Sequence, residues 1–190
     1  MNTAFEKMEF CAANVSQQDD DAFTQTLALL ADENWRVRYA AAVALGDRRD
    51  PRAVEALVQA LVRENEAPLF TQPKLDIPIT AGSNIPMEVL FPDGTTESTK
   101  EAWRRRGRVI QAGCLALGNI AIATPPVLKL LHDYALNQQR DYAVRAAANK
   151  ALGQIACPES LPFLEKAAKD EEWCTATEAK KAIQKIHASA

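Results

Sequence analysis

Three stretches of the chain, VRYAAAVALG (37–46), VIQAGCLALG (109–118) and VRAAANKALG (144–153), are variants of one ten-residue phrase. With the first Val of each taken as register position 0, Val144, Ala147, Ala148, Ala151, Leu152 and Ile155 fall at positions 0, 3, 4, 7, 8 and 11. Those positions share one face of an α-helix, so the phrase predicts an amphipathic helix. Val109, Ala112, Gly113, Ala116, Leu117 and Ile120 repeat the pattern, as do Val37, Ala40, Ala41, Ala44 and Leu45. Small residues at positions 3, 4 and 7 let a neighbouring helix come close. One such helix buries too little apolar surface by itself, so its copies must stack.

Each copy has a partner helix before it, predicted over 23–31, 51–62 and 125–136. A fourth pair follows at 158–169 and 173–186, where Thr175 and Glu178 replace Val and Ala in the register. Polar residues there suit a terminal repeat with a solvated outer face. Pro51, Pro125 and Pro158 mark helix starts, while Gly46, Gly118 and Gly153 lie near where a helix should end or bend. Val109 to Val144 is 35 residues, Val144 to Thr175 is 31, and Val37 to Val109 is 72, one period plus an insertion.

This wording, an acidic turn and an aromatic residue before V-R-x-x-A-A-x-A-L-G, resembles HEAT repeats, and most closely the short HEAT-like repeats named after phycobilisome lyases. The resemblance spans about 22–187 with the insertion set aside. It implies an all-α fold, a right-handed α-solenoid (superhelix) of about four HEAT-like helix pairs, with a mostly non-helical insertion in the second pair. Residues 1–21 are expected to be a partly helical or flexible segment, and 188–190 a tail. For function the resemblance implies a protein-binding scaffold, adaptor or chaperone, or alternatively a lyase-like factor that handles an open-chain tetrapyrrole (a bilin) on an antenna protein.

Position −2 holds Trp35, Tyr142 and Trp173, each after acidic residues that suit a helix N-terminus. In the second copy that position is Gly107, with Trp103 one turn earlier. These aromatics either staple the two helices of a pair or form a row offered to a ligand.

Residues 64–99 break the helical pattern. Pro68, Pro73, Pro78 and Pro86 exclude a regular helix, and LDIPI, PMEVLF and the turn signal Pro92-Asp93-Gly94 read as strand and turn, consistent with a β-hairpin. The segment carries six carboxylates against one lysine, whereas residues 100–157 carry nine cations against three carboxylates. Its apolar residues, Phe70 and Phe91 among them, argue against plain disorder. It is therefore expected either to set partner choice beside the WRRRGR run (103–108) or to serve as a solvated loop. A longer loop costs little, roughly 0.6 kcal/mol per doubling.

Composition narrows the function classes. Hydrophobic content of 47% and charged content of 25% are those of a globular domain, and a net charge of −3 argues against nucleic acid. No apolar run is long enough to span a bilayer, and the N-terminus lacks the pattern of a secretory signal. Cys11, Cys114, Cys157 and Cys174 have no CxxC spacing, so a reduced, cytoplasmic protein is expected.

The residues build no recognisable catalytic centre. There is no GxSxG elbow, P-loop or H-E-x-x-H, and His132 and His187 are far apart, without the paired His-Glu steps of iron-binding HEAT-repeat hydroxylases. Catalytic and metal-ligating residues are expected to be none, and cofactors none unless the bilin reading holds. Candidate contact positions for a partner protein with an acidic surface lie beside the apolar face: Arg38, Tyr39, Ile110, Gln111, Cys114, Arg145, Asn149 and Lys150. Arg104, Arg105, Arg106 and Arg108 join them, since guanidinium groups pair with carboxylates in bidentate fashion. Arg38 and Arg145 have a second reading as structural residues bonded to nearby carbonyls or carboxylates. Cys114 is either a packed small side chain or a thiol activated by Arg106 or Arg108.

Overall fold

The computed structural model describes residues 3–14, 19–66, 88–90 and 96–189. Along the chain it runs α1 (Ala4–Ala13), α2 (Asp20–Leu29), α3 (Trp35–Arg48), α4 (Val54–Glu66), β1 (Glu88–Leu90), β2 (Thr96–Ser98), α5 (Thr99–Ile120), α6 (Pro125–Leu136), α7 (Tyr142–Ile155), α8 (Leu161–Ala167) and α9 (Trp173–Ser189). Helices α2/α3, α4/α5, α6/α7 and α8/α9 form four pairs, and the second helices α3, α5, α7 and α9 pack in one continuous row. This is an α-solenoid. Short 3-10 turns at Pro51–Ala53 and Pro158–Ser160 lead into α4 and α8, each opened by the proline.

The repeated phrase supplies the core. Val37, Leu45, Leu117, Val144 and Leu152 are at most 1% exposed, facing Leu57, Leu61, Leu131 and Leu164 from the first helices. Tyr134 is buried among them and its hydroxyl donates 3.0 Å to the Leu61 carbonyl, which ties α6 to α4. His132, also buried, stacks on Phe163 with ring centroids 3.7 Å apart, and its Nε2 lies 3.0 Å from the Ser160 hydroxyl.

Helix α1 packs against α3 and lengthens the row by one member. Thr3 and Glu6 form a capping box at its start. The Lys7 ammonium meets Asp32 at 2.6 Å, as Arg145 meets Asp170 at 2.8 Å in the last pair. Asp32 and Asp170 each stand five residues before position 0 of the following helix, so Lys7 takes position 1 and buried Cys11 position 5 of a truncated copy.

The glycines of the phrase do not end helices. Gly46, Gly118 and Gly153 lie inside α3, α5 and α7, and each faces position 7 of the next second helix. A Cβ on Gly118 would sit 2.7 Å from the Ala151 Cα, and one on Gly153 2.7 Å from the Ala182 Cα. Gly46 opposes Ala116 in the same way. Backbone meets backbone at each step from α3 to α9.

The helices end three residues later, on Arg49, Ala121 and Ala156, at φ of 55°, 60° and 56°. A left-handed cap usually falls to glycine, because a Cβ there costs roughly 1–2 kcal/mol. Ala156→Gly should therefore stabilise the protein by up to ~1 kcal/mol once the extra freedom of glycine in the unfolded chain is deducted. A denaturant titration with an unchanged or lower midpoint would rule that out.

Between α4 and α5, strands β1 and β2 pair antiparallel, with Val89 opposite Glu97. Phe70 and Phe91, expected as insertion contacts, lie outside the described residues.

Candidate functional site: the exposed face of the second helices

The row of second helices sorts the register into three sides. Positions 0, 4, 7 and 8 face the core. Positions 1, 5 and 9 face the next repeat. Positions −1, 2, 6 and 10 look outward, at about 100° per residue around the helix.

Five of the twelve expected contact residues, Arg38, Ile110, Cys114, Arg145 and Asn149, sit on the inter-repeat side, and the structure buries four of them. Ile110 is 1% exposed, Cys114 and Asn149 are 0%, and Arg145 is 5%. Arg145 is a structural residue. Its Nε and Nη2 reach the two Asp170 oxygens at 2.8 and 3.0 Å, and its Nη1 donates 2.5 Å to the Arg140 carbonyl. Burial alone would push the Asp170 carboxyl up, but hydrogen bonds from Arg145, the Glu172 amide and Gln138 outweigh it and hold the group below its ordinary value. Asn149 donates to the Thr175 carbonyl at the start of α9. Arg38 plays the Arg145 role in α3: it pairs with Glu64 at the end of α4 and donates to the Asp32 and Glu33 carbonyls at 2.8 and 3.0 Å. Burial pushes the Cys114 thiol up to about 12, the opposite of what a reactive thiolate needs, so Cys114 is a packed side chain.

The outward positions hold a different set. Helix α3 presents Arg36, Tyr39, Val43 and Asp47, and α5 presents Arg108, Gln111, Leu115 and Asn119. On α7 the outward row includes Lys150 and Gln154, and on α9 Lys181 and Lys185. Of the expected contact residues, Tyr39, Gln111, Lys150 and Arg108 lie on this outward side; Arg36, Val43 and Leu115 lie there too, where the register continued to positions −1 and 6 puts them. Arg104, Arg105 and Arg106 lie on the first turns of α5, with side chains outside the described set.

The position −2 aromatics do not staple the pairs. Trp173 is 76% exposed and Tyr142 is 41% exposed. Trp35 instead lines an open groove of about 380 Å³ with Met8, Arg36, Tyr39, Ala40 and Arg108, and the Arg36 guanidinium lies 5.0 Å from its ring centroid. A second groove of about 420 Å³ runs along the helix C-termini past Arg49, Asn119, Gln154 and Lys185. There the Gln154 amide donates 2.8 Å to Asn119, joining position 10 of adjacent copies.

A family model for HEAT repeats matches residues 10–69 and 104–186. The chain belongs to the HEAT-repeat family. No curated protein matches its sequence significantly. Among solved structures, human deoxyhypusine hydroxylase in complex with glycerol is 18% identical, aligned over 98% of this chain and 81% of that one with a TM-score of 0.40. Among the described residues of this HEAT-repeat chain, no three His, Cys, Asp or Glu side chains cluster as metal ligands would. None of its described helices is long and apolar enough to cross a membrane.

Proposed function

We propose that this HEAT-repeat chain is a non-catalytic scaffold that holds another protein against the outward face of its second helices, the partner contributing an acidic surface. The charge of that face carries the reading. Arg36, Arg108, Lys150, Lys181 and Lys185 occupy it against Asp47 and Glu178, although the whole chain is net negative at −3. A cationic face on an acidic protein steers an acidic partner and repels a basic one. Four thiols without a disulfide among them suit a reducing, cytoplasmic setting.

The test reverses the charge without touching the core. Lys150, Lys181 and Lys185 are exposed, so Lys→Glu at all three should leave the melting transition nearly unchanged. Recovery of partners that the unaltered protein captures reproducibly from its native cells should fall by about tenfold or more. Equal recovery by both proteins would remove the reading.

The groove of Trp35, Tyr39, Arg36 and Arg108 supports a second reading, a bilin-handling factor similar to phycobilisome lyases, with the arginines placed to hold propionates. Mixing the protein with a bilin separates the two. A shifted and strengthened visible band favours this reading, and an unchanged spectrum favours the scaffold.

A further inference from the structure

The outward face changes character along its length. At the N-terminal end, Phe5 and Met8 occupy positions −1 and 2 of α1, beside Tyr39, Val43 and Leu115. Phe5 is 64% exposed, Tyr39 37% and Val43 36%. Beyond α5 the outward residues are Ala143, Ala146, Lys150 and Gln154 on α7, then Cys174, Thr177, Lys181 and Lys185 on α9. An aromatic groove flanked by two arginines thus opens onto a track of small residues that carries lysines.

We infer that the Met8–Trp35–Tyr39 groove is an anchor pocket for one aromatic or long aliphatic side chain of an acidic, extended segment of the partner, and that carboxylates recur along that segment about every three to four residues. The inference rests on the protein-binding reading above and adds the partner's local chemistry. An open groove of about 380 Å³ has room for a large side chain, and a buried aromatic or aliphatic anchor is the usual centre of binding energy. Carboxylates beside the anchor meet Arg36 and Arg108, which border the same groove. Packed helices lie roughly 8–10 Å apart, and an extended chain advances about 3.3 Å per residue. Lys150 on α7 and Lys181 on α9 share position 6, so an extended strand crosses between them in about three residues; Arg108 stands at position −1, roughly 10 Å away along the helix axis, so the step from it to Lys150 takes about four. Lys181 is paired with Glu178 at 2.7 Å, but that pair is solvent-exposed and gives way easily to a new carboxylate. Because the track continues past the groove over two further repeats, an extended chain fits it better than a compact small molecule.

The test uses the whole protein and fluorescein-labelled peptides of about twelve residues. One carries a Trp followed by Glu at intervals of three to four residues, one carries the same residues with the Glu in a block, and in a third Ser replaces Trp. The periodic peptide should bind at least about tenfold tighter than either control. Tyr39→Ala should cost about tenfold for the periodic peptide and leave the Trp-less one unchanged. Arg108→Glu should weaken both and flatten the salt dependence. Circular dichroism and melting of both variants confirm that the fold is intact. If all three peptides bind equally, the cationic-face reading stands and the anchor pocket falls. If none binds, both fall. An RNA oligonucleotide of similar length that binds as tightly as the periodic peptide would overturn the anchor by assigning the face to any polyanion.

Discussion

Asp170→Ala should destabilise the protein by about 3–5 kcal/mol, the usual loss when one partner of a buried ion pair is removed and the other is left in place. The pair is deeply buried, with side-chain exposures of 6% for Arg145 and 1% for Asp170. The same carboxylate also accepts from the Glu172 amide at 2.9 Å and from Gln138 at 3.1 Å, so truncation leaves four donor nitrogens on three residues without it. The double variant Arg145→Leu/Asp170→Ala should recover part of the loss, because no charge then remains buried alone. The pH profile gives an independent check. The folded-state pKa of Asp170 is lowered, so its contribution is complete above the unfolded value of about 3.9 and disappears as pH falls through the folded one. Asp32 and Asp50 are lowered as well and act in the same direction. Below about pH 4 the unaltered protein should lose stability more steeply than Asp170→Ala. Parallel acid transitions, or a single-variant loss under about 1 kcal/mol, would show that the pair is not buried as described.

The second large effect comes from one chemical change made twice in α5. Gly118→Ala places a methyl 2.7 Å from the Ala151 Cα and 2.5 Å from the Gln154 side-chain oxygen. Backbone cannot step aside as a side chain can, so the cost should be about 1–3 kcal/mol even after the gain in helix propensity. Among the described residues, Gly107→Ala meets only the end of Gln111 at 3.3 Å and a Val144 methyl at 3.9 Å. There the propensity term wins, and a gain of up to ~1 kcal/mol is expected. Opposite shifts of the urea midpoint would establish that position 9 is a backbone contact between repeats. Two shifts of the same sign would dismiss it.

The two halves of the register carry unequal signal in the sequence. The apolar half is strongly periodic, and Val144, Ala148 and Leu152 are buried where the phrase puts them. The outward half has no such signal, because solvent accepts Arg36, Tyr39, Gln111, Ala146 and Lys150 alike. Positions 1 and 5 lie beside the apolar face and so read as contact positions, yet Arg145 and Asn149 are polar because they bind the next repeat. A buried guanidinium and a contact guanidinium look the same in a sequence, and only the location of Asp170 separates them. Gly118 misled in a related way. Glycine near a helix end reads as a terminator, whereas here it clears room for a neighbour and alanine takes the left-handed cap. Helix α1 was the hardest to see, because at ten residues it ends before the alanine-leucine-glycine portion of the phrase.

The Gly-on-Ala contacts also make the molecule a gauge. In most helix stacks the spacing between neighbours depends on which side chains lie between them and can drift as those side chains change rotamer. Here the interval from α3 to α5, α5 to α7 and α7 to α9 is closed by main chain against main chain, at Gly46–Ala116, Gly118–Ala151 and Gly153–Ala182. The spacing of the outward face is therefore set by van der Waals contact of main chain on main chain, and a change of side-chain rotamer at these contacts would not alter it.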